Sequence, residues 1–166
     1  MTGRIETRLA ELGITLPEAP QPLADYVPWV VTGNLLFISG QLPVVDSLLI
    51  RGQLTAADQA EGTPPVAPEG SKLANACDAA RHCGLALLAH AKAATGDLDR
   101  ITRVVKLVGF VNGRSDFEQA PVVINACSGL MKEVFGEAGQ HARTAVTIAN
   151  LPFGGAVEVE GIFEIS

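Results

Sequence analysis

Apolar residues recur at helical spacing in three segments of the chain. In residues 4–12 they stand three and four positions apart, and Gly13 follows, a residue typical of helix ends. A longer stripe that ends before Gly96 consists of Leu73, Ala76, Cys77, Ala80, Gly84, Leu87, Leu88 and Ala91. A third stripe, in residues 118–135, consists of Val123, Ala126, Cys127, Leu130 and Val134. The pattern predicts one short helix and two long amphipathic helices.

Four other segments have the composition or the alternation of β-strands. Residues 27–39 contain two apolar runs around a Thr-Gly-Asn sequence, which predicts a tight hairpin. Residues 101–111 are rich in β-branched side chains and predict a buried strand. Two closing strands are predicted near residues 143–149 and 156–165. In the last of these, one face carries Val157, Val159, Phe163 and Ile165, and the other carries Glu158, Glu160 and Glu164.

The length of 166 residues is typical of one domain. We expect a single domain over residues 1–166, in which residues 1–23 are an N-terminal extension. Residues 44–70 contain three prolines and are expected to be an insertion or a long loop. Within them, residues 48–50 are a candidate short strand.

The predicted order of elements is a hairpin, a helix, a strand, a helix and two strands, which indicates an α+β fold. Two helices can cover only one face of such a sheet. Hydrophobic residues make up 48% of the chain, and its mean hydropathy is +0.28. We therefore expect the other face of the sheet to be buried against a partner subunit.

The net charge, the lengths of the apolar runs and the spacing of the cysteines limit the classes of molecule that the protein is expected to bind. The net charge is −6, with 12 basic residues scattered among 18 acidic ones, so a nucleic-acid partner is not expected. No apolar run approaches the roughly 20 residues that span a bilayer, so no membrane partner is expected either. The three cysteines lack metal-ligand spacing and are expected to be free thiols in the cytoplasm.

None of the common catalytic or nucleotide-binding motifs is present in the sequence. His82 and His90 are expected on or beside the solvent face of the first long helix, as ordinary surface residues. His141 lies shortly before a predicted strand, where two interpretations are open: a histidine that approaches a site, and an ordinary loop histidine, which is favoured. We therefore expect no metal and no cofactor.

Arg143 begins a strand that otherwise consists of small and β-branched residues. One interpretation is a cross-strand ion pair with Glu158 or Glu160 at a solvated sheet edge. The other is a cleft in which the guanidinium binds an anionic ligand with two hydrogen bonds. The residue pattern alone favours the ion pair.

Three blocks of the sequence together resemble one protein family. The first is Tyr26 followed by Val-Thr-Gly-Asn-Leu-Leu-Phe-Ile-Ser-Gly-Gln-Leu-Pro at residues 31–43. The second is Gly-Asp-Leu-Asp-Arg-Ile-Thr-Arg-Val-Val-Lys-Leu-Val-Gly-Phe-Val at residues 96–111. The third, in residues 142–160, contains Ala-Arg-Thr, then Leu-Pro, then Val-Glu-Val-Glu. In this order they are similar to the RidA/YjgF family, also called YER-type or L-PSP endoribonuclease-like.

The resemblance implies a chorismate-mutase-like α+β fold and a homotrimer whose sheets form a central barrel, with clefts between subunits. In the deaminase members, the arginine that matches Arg143 holds the substrate carboxylate, and the glutamate that matches Glu158 positions the attacking water. Tyr26 and Ser39 match residues that line the cleft, and Asn125 matches an asparagine on the second long helix.

The implied reaction is hydrolysis of a reactive imine or enamine, such as a 2-imino acid, to a 2-keto acid and ammonia. Such a reaction requires a carboxylate anchor, a positioned water and a proton carrier. Two alternatives stay open: a trimeric protein that binds a small carboxylate without turnover, and an endoribonuclease. The sequence departs from many deaminase members at Ala145, where they carry cysteine, and in the length of residues 44–70, a candidate lid.

Overall fold

The computed structural model describes residues 3–20 and 25–166 of the chain. The α-helices of these residues are α1 (Arg4–Glu11), α2 (Lys72–Thr95) and α3 (Ala120–Phe135). The strands are β1 (Trp29–Thr32), β2 (Leu35–Gln41), β3 (Val44–Val45), β4 (Leu48–Leu49), β5 (Ile101–Asn112), β6 (Ala142–Ile148) and β7 (Val157–Ile165). The predicted helices, hairpin and strands are confirmed, with ends that differ by a residue or two.

Local sequence determines both ends of α2. The Ser71 hydroxyl accepts a hydrogen bond from the Ala74 N–H at 3.1 Å, which satisfies one of the free donors of the first turn. Gly96 follows the last turn with a φ of 76°, a conformation that glycine adopts without strain. All residues of the predicted stripe are buried except Cys77, which is half-buried. The helix therefore packs through the face that its sequence predicts.

The central sheet has five strands in the order β1-β2-β7-β5-β6. Strands β5 and β6 are parallel, and the other neighbours are antiparallel, so the sheet is mixed. Helix α3 connects the parallel pair, as a crossover between parallel strands requires. Strand β5 consequently lies between the two strands that carry Arg143 and Glu158.

Helices α2 and α3 pack together on one face of this sheet. The sheet residues that point toward them, among them Leu36, Leu107 and Phe163, are completely buried. The opposite face, which we call the bare face, carries Val30, Phe37, Val108, Phe110, Val146 and Ile162 together with Glu158, Glu160 and Glu164. The predicted α+β architecture with both long helices on one face of a mixed sheet is confirmed.

The expectation that His90 is a surface residue is wrong. Its side chain is 1% exposed, and the Trp29 ring of β1 lies with its centroid 5.7 Å from the imidazole centroid. Burial lowers the pKa of His90, because it disfavours the charged imidazolium. The helical pattern places His90 near the polar side of α2, but packing beside β1 buries that side as well. His82, by contrast, is half-buried.

Residues 44–70 contain more structure than a long loop. Strands β3 and β4 form a small hairpin, so the candidate strand at residues 48–50 is confirmed as Leu48–Leu49. Further along, the Leu54 N–H donates to the Asn112 carbonyl at 3.0 Å, and the Arg114 N–H donates to the Leu54 carbonyl at 2.8 Å. These bonds attach the segment to the end of β5.

No helix among the described residues is both long enough and apolar enough to cross a membrane.

Helix α1 is attached to the domain by its two buried residues, Ile5 and Leu9.

Candidate functional site

Arg143 lies on β6, one of the two edge strands of the central sheet, with an exposed side chain. It pairs in register with Leu107, whose side chain is buried beneath the helices, so Arg143 points to the helix face. There its Nη1 donates to Asn125 Oδ1 at 2.8 Å and to Ser128 Oγ at 3.2 Å. Within the part of the chain that the structure describes, no carboxylate lies within ion-pair distance of this guanidinium.

The hydroxyl of Ser128 continues this network to His141. Ser128 Oγ is 3.0 Å from His141 Nε2, and His141 Nδ1 is 2.7 Å from the Gly139 carbonyl oxygen. Burial lowers the pKa of His141, and the nearby Arg143 charge lowers it further. His141 is therefore a neutral imidazole at pH 7. Asn125, Ser128, His141 and Arg143 together form what we call the arginine half-site.

Glu158 lies on β7 and points to the bare face, because it pairs in register with Phe110 while its neighbour Val157 is buried beneath the helices. Its carboxylate packs directly over Gly40, where a Cβ atom would collide with Glu158 Oε1. Burial raises the pKa of Glu158, and the charge of Glu160 raises it further. A carboxyl group with a raised pKa is suited to accept and return a proton near neutral pH.

Ser39 is next in the chain to the residue that this carboxylate contacts, and a hydrogen bond links Ser39 to the segment that carries Tyr26. The bulge in β2 between Ile38 and Gln41 contains Ser39 and Gly40, so Ser39 is the chain neighbour of the residue over which Glu158 packs. The Ser39 hydroxyl donates to the Val27 carbonyl at 3.0 Å, which ties it to the segment that carries the exposed Tyr26. Ser39, Gly40 and Glu158 together form what we call the glutamate half-site, and Tyr26 directly precedes the Val27 residue that is bonded to it.

A cavity of about 240 Å³ adjoins the glutamate half-site on the bare face. Its lining includes Ser39 and Phe37 of β2, Lys106 of β5 and Glu160 of β7. No residue of the arginine half-site lines it. The space next to Ser39 is therefore open to a ligand or to another protein surface, and not to Arg143 of the same chain.

The predicted site residues thus form two separate groups within one chain. Arg143 and Glu158 are two strands and three register positions apart, which corresponds to about 14 Å between Cα atoms. They also point to opposite faces of the sheet. The interpretation of Arg143 as the cross-strand partner of Glu158 or Glu160 is wrong, because β6 pairs with β5 and β5 separates it from β7.

Two members of the half-sites were not predicted from the sequence. Ser128 follows Asn125 by three positions, which places the two on one side of α3, and this spacing is a signal that could have identified it. Gly40 has no such signal, since its proximity to Glu158 depends on the pairing of β2 with β7. His141 lies in a loop as expected, and its imidazole belongs to the arginine half-site, which was the less favoured of its two interpretations.

One group of acidic side chains among the described residues, Glu6, Asp97 and Asp99, is close enough to share a metal ion. The Asp99 carboxylate already accepts hydrogen bonds from the backbone N–H groups of Arg4 and Ile5, at 2.6 and 2.8 Å. These bonds lower the pKa of Asp99. They assign the group a structural role at the first turn of α1, remote from both half-sites.

The raised pKa of Glu158 predicts a pH-dependent stability difference between the wild type and Glu158→Gln. The folded state binds the Glu158 proton more tightly than the unfolded state, so stability falls as pH rises between the unfolded and folded pKa values. The glutamine amide does not ionise, so the variant lacks the free-energy cost of holding a charged carboxylate in the folded state. We therefore expect Glu158→Gln to melt higher than the wild type at pH 7, by roughly 2 °C. The difference should vanish below about pH 3.5, well under the pKa of an unfolded glutamate, where the Glu158 carboxyl is protonated in both the folded and the unfolded state.

Thermal melts at the two pH values measure this difference. Glu61→Gln is the matched control, because Glu61 is an exposed loop residue, and its melting difference from the wild type should be the same at both pH values. A Glu158→Gln variant that melts lower than the wild type at pH 7 would contradict the prediction.

Comparison with known proteins identifies the family of the chain. The fold defines an α+β protein with a mixed sheet covered on one face by two long helices. Residues 6–163 match the family model described as "YjgF/chorismate_mutase-like, putative endoribonuclease". The chain belongs to this family, the RidA/YjgF family.

Its relatives include both curated proteins and solved structures. Protein TCP17 of Trypanosoma cruzi is 43% identical over 167 residues, which cover 99% of this chain and 96% of that protein. The structure of Atu1372 from Agrobacterium tumefaciens, a protein of unknown function, is 43% identical with a TM-score of 0.81, covering 98% of this chain and 92% of that one. RidA from the Antarctic bacterium Psychrobacter sp. PAMC 21119 is 27% identical with a TM-score of 0.57, covering 89% of this chain and 94% of that one.

Proposed function

We propose that the protein is a hydrolytic deaminase that converts a 2-imino acid, or its enamine, to a 2-keto acid and ammonia. The observation that carries the proposal is the state of Arg143: an exposed guanidinium held by two uncharged acceptors, Asn125 and Ser128, and left without a carboxylate partner among the described residues. An arginine in this state can bind the carboxylate of a small anion. Glu158, whose pKa is raised by burial and by the charge of Glu160, supports the second requirement, a group that accepts and returns a proton.

The reaction follows from these two groups. The guanidinium of Arg143 holds the substrate carboxylate and so fixes the position of the adjacent C2 atom. The substrate reacts as the protonated imine. Glu158 accepts a proton from water as the water oxygen bonds to C2, and the π electrons of the C=N bond move to nitrogen, which gives a neutral carbinolamine. Glu158 then returns this proton to the nitrogen, the C–N bond breaks as the hydroxyl oxygen forms the C=O bond, and the hydroxyl proton passes to the Glu158 carboxylate, which releases it with the departing ammonia as ammonium. In this proposal Ser39 and Tyr26 contact the substrate or the water beside Glu158.

One chain cannot perform these steps alone, because its two half-sites lie on opposite faces of the sheet and about 14 Å apart. We propose that the arginine half-site of one subunit faces the glutamate half-site of its neighbour in a homotrimer. The exposed apolar residues of the bare face, among them Val30, Phe37 and Val146, support burial of this face against other copies. The free thiols Cys77, Cys83 and Cys127 support a reducing, cytoplasmic location.

Mixed oligomers test the reaction and the shared site together. The substrate, 2-iminopropanoate or 2-iminobutanoate, is generated in situ by an amino-acid oxidase, and the acceleration of 2-keto acid release is measured. We expect acceleration by the wild type and almost none by Arg143→Ala or Glu158→Gln alone. When the two variants are co-expressed with different tags and assemble at random, one cleft in four combines two intact half-sites, so activity should return to about a quarter of wild type.

The outcomes separate the alternatives. Activity of the mixed oligomers no higher than that of either variant would show that both half-sites must belong to one chain. A wild type that binds 2-oxobutanoate but accelerates no imine hydrolysis would replace the deaminase with a carboxylate-binding protein. Each variant purified alone and mixed after assembly is the control, since subunits that do not exchange form no intact cleft.

A further inference from the structure

We propose that Ser128 and His141 are positioning residues that orient Arg143 for carboxylate binding. The proposal deepens the proposed function and rests on it for the nature of the ligand. Neither residue contacts the glutamate half-site, and both reach Arg143 through hydrogen bonds within the arginine half-site. Their role follows from the direction of each hydrogen bond in this network.

The direction of every bond is determined by the chemistry of its ends. The Gly139 carbonyl can only accept, so the proton of neutral His141 lies on Nδ1, 2.7 Å away. Nε2 then has a free lone pair, and the Ser128 hydroxyl, at 3.0 Å, donates to it. With its proton directed to His141, Ser128 Oγ presents a lone pair to Arg143 Nη1 at 3.2 Å. His141 therefore converts Ser128 from a donor that would repel the guanidinium into an acceptor that holds it.

The network also selects the edge of the guanidinium that stays available. Nη1 carries two hydrogens, and its bonds to Asn125 Oδ1 and Ser128 Oγ occupy both. Among the described residues, neither Nε nor Nη2 of Arg143 makes a hydrogen bond to the protein. These two nitrogens form one planar edge, the geometry that binds a carboxylate with two parallel hydrogen bonds. Without Ser128 or His141 the guanidinium would be free to rotate, and its Nε and Nη2 donors would no longer be held in one orientation.

The charge around His141 is compatible with a neutral imidazole. The groups that face it are the Ser128 hydroxyl from α3, the Gly139 carbonyl from the preceding turn and the Arg143 guanidinium from β6. Of these, Arg143 alone is charged. Lys106 of β5 lies opposite Ala142, which points away from the helix face, so it does not face the imidazole.

The same pair could be considered as a nucleophile and its base, since 3.0 Å between Ser128 Oγ and His141 Nε2 meets that geometric requirement. Two features favour positioning instead. The hydroxyl oxygen already accepts a hydrogen bond from Arg143. An imidazolium formed by proton transfer would face this cation, and no carboxylate of residues 3–20 or 25–166 bonds to the imidazole to stabilise it. Ser128 is therefore an acceptor for Arg143 and is not expected to attack the substrate.

Steady-state kinetics with the in-situ imine test the proposal in the assembled protein. We expect Ser128→Ala and His141→Ala each to raise KM about 10-fold, the scale of one lost hydrogen bond to a charged group, with kcat within about 2-fold of wild type. The double variant should resemble the single ones, because the residues act as one unit. Ser128→Thr keeps the hydroxyl and should keep the wild-type KM. His82→Ala is the matched control, since His82 is a half-buried histidine of α2 outside both half-sites.

Nitrogen-15 NMR of the imidazole provides a second readout that does not depend on turnover. At pH 7 His141 should be the Nδ1–H tautomer, and addition of 2-oxobutanoate should shift its signals in the wild type but not in Ser128→Ala.

Wild-type KM and wild-type 2-oxobutanoate affinity in both alanine variants, or an Nε2–H tautomer, would overturn the proposal. If the wild type binds 2-oxobutanoate through this network but turns over no imine, the deaminase proposal fails and the positioning role stands. If it neither binds nor turns over, both fail.

Discussion

Replacement of Arg143 by alanine should lower kcat/KM for a 2-imino acid by about 100- to 1,000-fold, the scale of two charge-assisted hydrogen bonds. The loss should appear in both kcat and KM, because the proposed role of Arg143 is both to bind the carboxylate and to fix the position of the reacting carbon. Arg143→Lys keeps the charge but not the planar edge, so we expect it to recover only part of the activity. The measurement is the initial rate of 2-keto acid release over a range of imine concentrations.

The side chain of Arg143 is exposed on an edge strand, so its removal should leave the subunit folded. Circular dichroism and the mass of the oligomer check this. Arg4→Ala is the matched control, because Arg4 is an exposed arginine at the start of α1, outside both half-sites. An Arg143→Ala variant with wild-type kcat/KM would refute the role of this residue as the carboxylate anchor.

Replacement of Glu158 by glutamine should have a different kinetic pattern. The amide has nearly the same shape but cannot accept a proton from water, so kcat should fall by about 100- to 10,000-fold. KM should change little, because in the proposed mechanism the other half-site holds the carboxylate of the substrate. This division of effects between Arg143 and Glu158 is a direct consequence of their separation in the fold.

Glu160→Gln is the control for this experiment, since Glu160 lies on the same face two positions away and is exposed. We expect its kcat to stay near wild type. The acid limb of its pH–rate profile should shift to lower pH, because the charge of Glu160 is one of the two causes that raise the pKa of Glu158. Equal losses of kcat in Glu158→Gln and Glu160→Gln would contradict the assignment of Glu158 as the proton carrier.

The sequence by itself determined the order of helices and strands. Helical spacing identified α2 and α3, and alternation identified the two faces of β7, because both periods are local properties of the backbone. Gly96 marked the end of α2 for the same reason: the positive φ required there is satisfied within the residue itself. The residue blocks around Ser39, Arg143 and Glu158 also pointed to the correct family.

Only the tertiary structure decided how these residues are placed relative to one another. Strand order is non-local, and the insertion of β5 between β6 and β7 replaced the expected Arg143–Glu158 pair with two separate half-sites. His90 is buried because β1 packs beside a side of α2 that the sequence pattern alone assigns to solvent. The contact between Ser128 and His141 likewise joins a helix to a later loop, and it depends on how α3 lies against the start of β6. The local periodicity of the sequence specifies on which face of its helix or strand a residue lies. Tertiary packing specifies which other element, if any, covers that face.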